Sequence, residues 1–127
     1  MLVPALALVA VALTGTAIDL VAVQAVQRRT QSVIASAADD AAGMVDARRI
    51  QLDAVTIVDP VAARRAVENH LRASPLPGRL QRLDVTVRAD RVDVVARVEV
   101  RRIVLRALPG VDRDVIVVAR ASAVVDP

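Results

Sequence analysis

The stretch that decides the fold is Leu2–Val26, which reads LVPALALVAVALTGTAIDLVAVQAV and carries one charged residue, Asp19. Its first part, Leu2–Ile18, contains only Leu, Val, Ala, Ile, Pro, Gly and Thr. About 20 apolar residues rising 1.5 Å each cross a hydrocarbon core of roughly 30 Å as a helix. We therefore predict a transmembrane helix over residues 1–27, with the lipid bilayer as its first partner.

A cleaved signal peptide is the alternative for this segment. Signal peptides have a basic start, an apolar stretch of about 7–15 residues and a small-residue cleavage site. No basic residue precedes the apolar run here, and apolar residues resume after the small-residue stretch Thr14–Ala17. These features favour a retained span. Cleavage would instead release a secreted small binding domain.

Asp19 is the exceptional residue of the span. It lies about 25 Å along a helix from Leu2, close to the far edge of the hydrocarbon core. One interpretation is an interfacial carboxylate that reaches water. The other is an ionic contact inside the membrane with a neighbouring subunit, because charges in spans usually have partners. The sequence leaves both open.

Composition excludes several classes of function. The chain has 127 residues, no aromatic side chain and no cysteine, and its formal net charge is +3. All basic residues are arginine, and in the second half they alternate with aspartate (Arg88, Asp90, Arg91, Asp93), which indicates a mixed solvated surface. Without stacking aromatics, a nucleic-acid partner is not expected. Without aromatic side chains, the soluble part should have a thin core and suit completion by partners.

The helix is expected to continue from the span into a stalk over residues 28–50. Small apolar residues recur there at spacings of three and four, which is the pattern of one helical face. They are Ile34, Ala37, Ala38, Ala41, Ala42 and Val45. An alanine stripe allows another element to approach closely. Packing on the chain's own domain and packing on another subunit are equally compatible with it.

Residues 51–127 are predicted to form a small α+β domain of one helix packed on about three antiparallel strands. A short β-favouring run, 54–58, leads to Asp59-Pro60, which is typical of a helix start, and the helix should run to about Ala73. Alternating residues then predict a hairpin that turns at Ala89-Asp90. After a break at Leu108-Pro109-Gly110, a third strand should cover 114–125.

Residues with catalytic or metal-binding potential are few. His70 lies mid-helix with no second ligand at metal-site spacing, so we interpret it as a boundary residue. Asp39 and Asp40 are adjacent, and adjacent helical residues point about 100° apart, which argues against one shared site. No nucleophile, phosphate-loop or dinucleotide motif is present. We expect no enzymatic activity, no cofactor, no metal and no small-molecule substrate.

The order of these segments resembles the TadE/TadG-like pilus-assembly proteins of actinobacteria. The matching segments are AIDLVAV, QRRTQ, SAADDAAGMV, VDPVAARRAVENHLRA, an LPGV turn and VVARASAVV, so the resemblance covers essentially the whole chain. Each motif is low in complexity, and their order and spacing carry the similarity. The chain departs from the family where Gly43-Met44 interrupts the alanine run and where no basic, small-residue leader precedes the span.

The resemblance implies a pseudopilin-like, single-span component of the tight adherence (Flp) pilus or secretion system. Its partners would be other pilin-like or assembly membrane proteins, and its small domain would lie outside the cytoplasmic membrane. The family's aspartate, membrane-proximal arginines and post-membrane acid match Asp19, Arg28, Arg29 and Asp39, which are the expected assembly contacts. This topology conflicts with the local charges, because Arg28 and Arg29 after the span favour a cytoplasmic C-terminal part.

Overall fold

The computed structural model describes residues 2–53, 56–101 and 114–125. Its helices are α1 (Leu2–Ala42), α2 (Ala47–Asp53) and α3 (Pro60–Ala73), and its strands are β1 (Arg79–Val87), β2 (Arg91–Arg101) and β3 (Asp114–Val124). The strands form one antiparallel sheet in the order β1-β2-β3. The described residues therefore have an α+β architecture, with one long apolar N-terminal helix and a three-stranded sheet, which confirms the predicted class.

The β1–β2 hairpin forms where the alternating sequence predicts it. Val87 pairs with Val92, and the turn is closed by the Arg88 N–H, which donates to the Arg91 carbonyl at 2.8 Å. On β2 the residues of one face are fully buried, and those of the other are partly or fully exposed. Such alternation follows from the two-residue period of a strand with one face against a core. The buried residues are Val92, Val94, Ala96 and Val98.

Strand β3 begins at Asp114 and ends at Val124, close to its predicted range. Its inward residues include Val117, Ala119 and Ala123, which are buried as predicted, while the alternate residues face outward. The predicted break at Leu108-Pro109-Gly110 lies outside the described residues.

The second half of α1 forms most of the helical side of the core. Its predicted stripe is buried against the inward residues of β2 and β3. Alanine side chains at these positions let the helix axis lie close to the sheet. Of the two packing alternatives for the stripe, the structure has the one on the chain's own domain. The cluster comprises Ile34, Ala37, Ala38, Ala41 and Ala42 from α1 with Val92, Val94, Ala96, Ala119 and Ala123 from the sheet.

The predicted continuation of this helix to about Ile50 is wrong, because α1 ends at Ala42. Gly43 follows in a turn, and the chain reverses so that Val45 makes an isolated antiparallel bridge with Val58. The Asp46 carboxylate then accepts the N–H groups of Arg48 and Arg49 at 3.0 and 3.4 Å, which starts α2. Of the predicted β run 54–58, residues 54 and 55 lie outside the described residues.

Helix α3 has the predicted bounds and the predicted cap. The Asp59 carboxylate accepts the N–H groups of Val61 and Ala62 at 2.9 and 3.2 Å, and Pro60 occupies the first turn. Ala63 and Val67 are buried. This face packs mainly on α1 and only slightly on β1, so α1 and not α3 is the main helix on the sheet.

Candidate functional site

The first half of α1 exposes apolar side chains around its whole circumference. Every large side chain described between Val3 and Ile18 is more than half exposed. By length and composition, α1 is able to cross a membrane. The hydroxyls of Thr14 and Thr16 donate to the carbonyls of Ala10 and Ala12, each at 2.8 Å, so these polar groups are satisfied inside the helix. A helix with this surface requires an apolar environment.

Asp19 lies where α1 passes from full exposure to packing on the sheet. It is only 4% exposed and is engaged with other residues of the chain. Asp19, Val23, Val26, Thr30 and Ile34 follow one another at helical spacing on the same stripe. The buried stripe of α1 therefore extends from Gly15 and Asp19 to Ile34 and the alanines of the core.

A cavity of about 450 Å³ separates this part of α1 from the near end of the sheet. Its walls are about two turns of α1, the loop before β1 and the neighbouring ends of the three strands. Apart from Asp19, the α1 residues at its wall are apolar, namely Ala22, Val23 and Val26. The charged strand residues at its rim, among them Arg79, Glu99 and Arg101, belong to the rows that alternate with the buried residues of the sheet. The cavity marks the end of the domain that lies next to the apolar segment.

Arg28 and Arg29 are exposed on α1, more than two turns beyond Asp19. The neighbouring Gln31 makes a contact that the sequence did not reveal. Its amide nitrogen donates to the Arg120 carbonyl, and the Arg120 N–H donates back to its amide oxygen at 3.3 Å. The side-chain amide thus occupies the position that the peptide group of another strand would take beside β3. The two residues are 89 positions apart, and no local pattern links them.

Asp39 is exposed near the end of α1, beside a groove that reaches Ala123 and Val125. The adjacent Asp40 points elsewhere, and its Oδ2 lies 2.5 Å from Nδ1 of His70 on α3. The interpretation of His70 as a boundary residue agrees with its partial exposure of 21%. The sequence reasoning did not identify Asp40 as its partner, because the two residues are 30 positions apart.

The four predicted contact residues are therefore not brought together. Asp19, Arg28, Arg29 and Asp39 lie along one straight helix, with roughly 30 Å between the first and the last. Among the described residues, no group of three or more metal-ligating side chains lies close enough to hold one ion. Asp19 is buried toward the sheet, whereas Arg28, Arg29 and Asp39 are exposed at different heights of the helix.

The two outer edges of the sheet expose further apolar and charged side chains. Ile116 and Val118 on β3 are 57% and 40% exposed, although both are large and apolar. On β1, Arg82 and Asp84 form an exposed ion pair at 2.9 Å. A groove of about 340 Å³ runs between β1 and α3 and is lined by Arg64, Glu68 and β1 residues 83–86.

Comparison with known proteins adds no relative to this description. No family model, no curated protein and no solved structure matches the chain.

Proposed function

We propose that this chain is a membrane-anchored, pseudopilin-like component of a tight adherence (Flp, type IV-related) pilus-assembly or secretion machinery, with a structural and non-catalytic role. In this proposal, the apolar half of α1 is held in the cytoplasmic membrane as a single span, and the small α+β domain lies outside the cytoplasm. Its partners are the bilayer and other pilin-like or assembly proteins of the membrane.

The observation that carries the proposal is the continuity of α1. The helix is apolar over residues 2–18, where its large described side chains are more than half exposed, and from Asp19 onward the same helix is the main core helix of the domain. No flexible linker separates the two parts. The orientation of the domain is therefore fixed relative to the membrane, which is the property that ordered packing of many anchored subunits requires.

A reporter fused after Pro127 tests both membrane insertion and the side of the membrane on which the domain lies. A reporter that is active only outside the cytoplasm should be active, and one that is active only in the cytoplasm should be silent. The fusion should also stay with the membranes after an alkaline wash. A cytoplasmic domain would contradict the proposed topology. It would agree instead with the orientation that Arg28 and Arg29 predict, in which the C-terminal part stays in the cytoplasm.

The competing function is a secreted small binding domain. N-terminal sequencing of the mature protein separates the two functions, since a start near Ala17 or later removes the anchor. An intact apolar segment in the mature chain supports the assembly role.

The assembly role itself is tested on Asp19, which lies at the junction of anchor and domain. We expect Asp19→Ala to insert into the membrane normally but to reduce surface fibres in a strain that carries it as its only copy. Asp19→Asn, which keeps the shape and removes the charge, distinguishes a charge effect from lost packing. Normal fibre numbers in both variants, and in a strain with the gene deleted, would contradict a role in assembly.

A further inference from the structure

We propose that copies of this chain, anchored in one membrane, contact one another side by side, with the outer edge of β3 of one copy against the outer edge of β1 of the next. The partner is a second copy of this chain, and the contact surface consists of described residues of β3 and β1. The inference rests on the proposed anchoring through α1.

The two edge strands run in the same direction as α1. The beginning of the packed part of α1, at Asp19, lies with Arg79 and Asp114, the first residues of β1 and β3, around the cavity at the near end of the sheet. Further along, Gln31 reaches Arg120, and the end of α1 lies near Val124. Both edge strands therefore lead away from the membrane, and only β2 leads back.

This common direction restricts how two anchored copies can meet. A twofold axis perpendicular to the strands makes β3 and a second β3 antiparallel, and it turns the second α1 away from the first copy's membrane. Copies that share one membrane are related by rotation about its normal or by translation within it. A half-turn about the normal sets β3 beside a second β3 with the faces of the two sheets reversed. A smaller rotation or a translation keeps the same face outward and brings β3 of one copy beside β1 of the next, both running the same way, and the paired rows described below fit this arrangement.

Residues at equal height on the two edges can be read from β2, which pairs with both strands. Val95 pairs with Asp84 on one side and Arg120 on the other, and Asp93 pairs with Thr86 and Ser122. Rotation about the membrane normal thus sets Arg120 opposite Asp84 of the next copy and Ser122 opposite Thr86. The first is an ion pair between exposed side chains, and the second is a hydroxyl pair of the kind that stabilises neighbouring strands.

The next two rows toward the membrane match apolar residues with arginine. Arg97 pairs with Arg82 and Val118, and Glu99 pairs with Arg79 and Ile116. Between copies, Val118 then faces Arg82 and Ile116 faces Arg79. The aliphatic part of an arginine side chain can cover an apolar neighbour while its guanidinium stays in water. This contact removes the exposed apolar surface of β3 from water.

At the Arg120 row, Gln31 limits the contact to side chains. Its amide already satisfies both backbone groups of Arg120 on the free side of β3. The sheets of neighbouring copies therefore lie edge to edge without merging at this row, which keeps the contact reversible. The surfaces of β3 and β1 differ, so a pair of copies still has one free β3 edge and one free β1 edge. Further copies can add at both, and the arrangement extends as a ring or an open array.

Cysteine cross-linking tests the contact, since the chain has no cysteine of its own. The full-length protein carries Thr86→Cys with Ser122→Cys and is oxidised in isolated membranes. A disulfide needs Cα atoms within about 7 Å. We expect a ladder of dimers, trimers and larger products. A matched pair, Arg82→Cys with Ser122→Cys, is offset by four residues, or roughly 13 Å along the strand, and should give no ladder.

The single variants test the symmetry. Ser122→Cys alone and Thr86→Cys alone should stay monomeric. Dimers from one of them would overturn the side-by-side contact in favour of a twofold one. A ladder of equal strength from the offset pair would also overturn the proposed contact. A membrane-bound double variant that gives no ladder also overturns it.

A charge exchange separates the contact from folding and from anchoring. In the cross-linking background, Arg120→Asp alone and Asp84→Arg alone should lose the ladder, and the two together should restore it. Unfolding in detergent, followed by circular dichroism, checks that each variant is folded. If the protein is not in the membrane fraction at all, the proposed function fails; if it is there and the exchange does not restore the ladder, only this inference fails.

Discussion

Thr30 is the residue at which the core departs most from an apolar interior. Its side chain is fully buried on the α1 stripe, and its hydroxyl has no hydrogen-bond partner among the described residues. An unsatisfied buried hydroxyl costs about 1–3 kcal/mol, whereas valine has nearly the same shape and no polar group.

We expect Thr30→Val to raise the free energy of unfolding by about 1 kcal/mol. Thermal unfolding of the full chain in detergent, followed by circular dichroism, measures the change. Thr30→Ser is the matched control, because it keeps the hydroxyl and loses a methyl group, and it should destabilise the protein. A loss of stability in Thr30→Val would mean that the hydroxyl has a partner.

Gly78 allows the loop after α3 to lie against β2. A Cβ atom at this position would be 2.6 Å from both the Glu99 carbonyl oxygen and the Val98 Cγ1. Backbone cannot move aside as a side chain can. We expect Gly78→Ala to destabilise the domain by about 1–3 kcal/mol, the usual cost of overpacking.

Gly43 is the control for that substitution. A Cβ there would meet only the Asp40 and Asp39 carbonyls, at 3.4 and 3.8 Å, which are ordinary contacts. Gly43→Ala should be neutral or stabilising by roughly 0.4–1 kcal/mol, because it restricts the unfolded chain. Denaturant unfolding of the two variants in parallel gives the comparison, and equal losses would contradict the packing argument.

At the scale of elements, the sequence predicted best where the determining interactions are local. The start of α3 is determined by Asp59 and Pro60 next to each other, and the hairpin by alternation on both sides of its turn, so α3 has the predicted bounds and the hairpin turns where predicted. The bridge between Val45 and Val58 and the end of α1 at Ala42 were not predicted, because they depend on a chain reversal that the alanine pattern does not encode.

The cap of α3 gives a prediction at this scale. Asp59→Ala should cost about 1 kcal/mol, because two N–H groups of the first turn lose their acceptor. Asp59→Asn keeps an acceptor oxygen and should lose much less. Thermal unfolding followed by the helical circular dichroism signal compares the two variants. Equal losses of stability in both would assign the effect to the charge.

At the scale of the whole molecule, one helix serves two environments. The sequence identified the apolar segment and the alanine stripe separately, but a stripe of small residues fits an intersubunit and an internal surface equally well. The packing of Ile34 on the sheet, the Gln31–Arg120 contact and the Asp40–His70 pair needed the tertiary structure, since their partners are far away in sequence. The candidate contact residues were identifiable one by one, but the burial of Asp19 and the exposure of the other three were not.

A chain that begins at Asp19 tests whether the domain folds without the apolar segment of α1. Among the described residues, the buried apolar side chains of the core lie at or beyond Ile34, so this shortened chain should fold and remain in aqueous solution without detergent. Circular dichroism should retain the helix and strand signals, and the protein should leave the membrane fraction. A shortened chain that is unfolded would show that the apolar segment supports the domain.

The packing of α1 against β3 also has a consequence for the order of events during synthesis. Helix α1 is made well before β3, yet each covers the other in the core. The alanine stripe must therefore stay uncovered until translation has supplied β3. Through that interval the stripe is open to helices of neighbouring chains, so the timing of translation decides which surface it meets first.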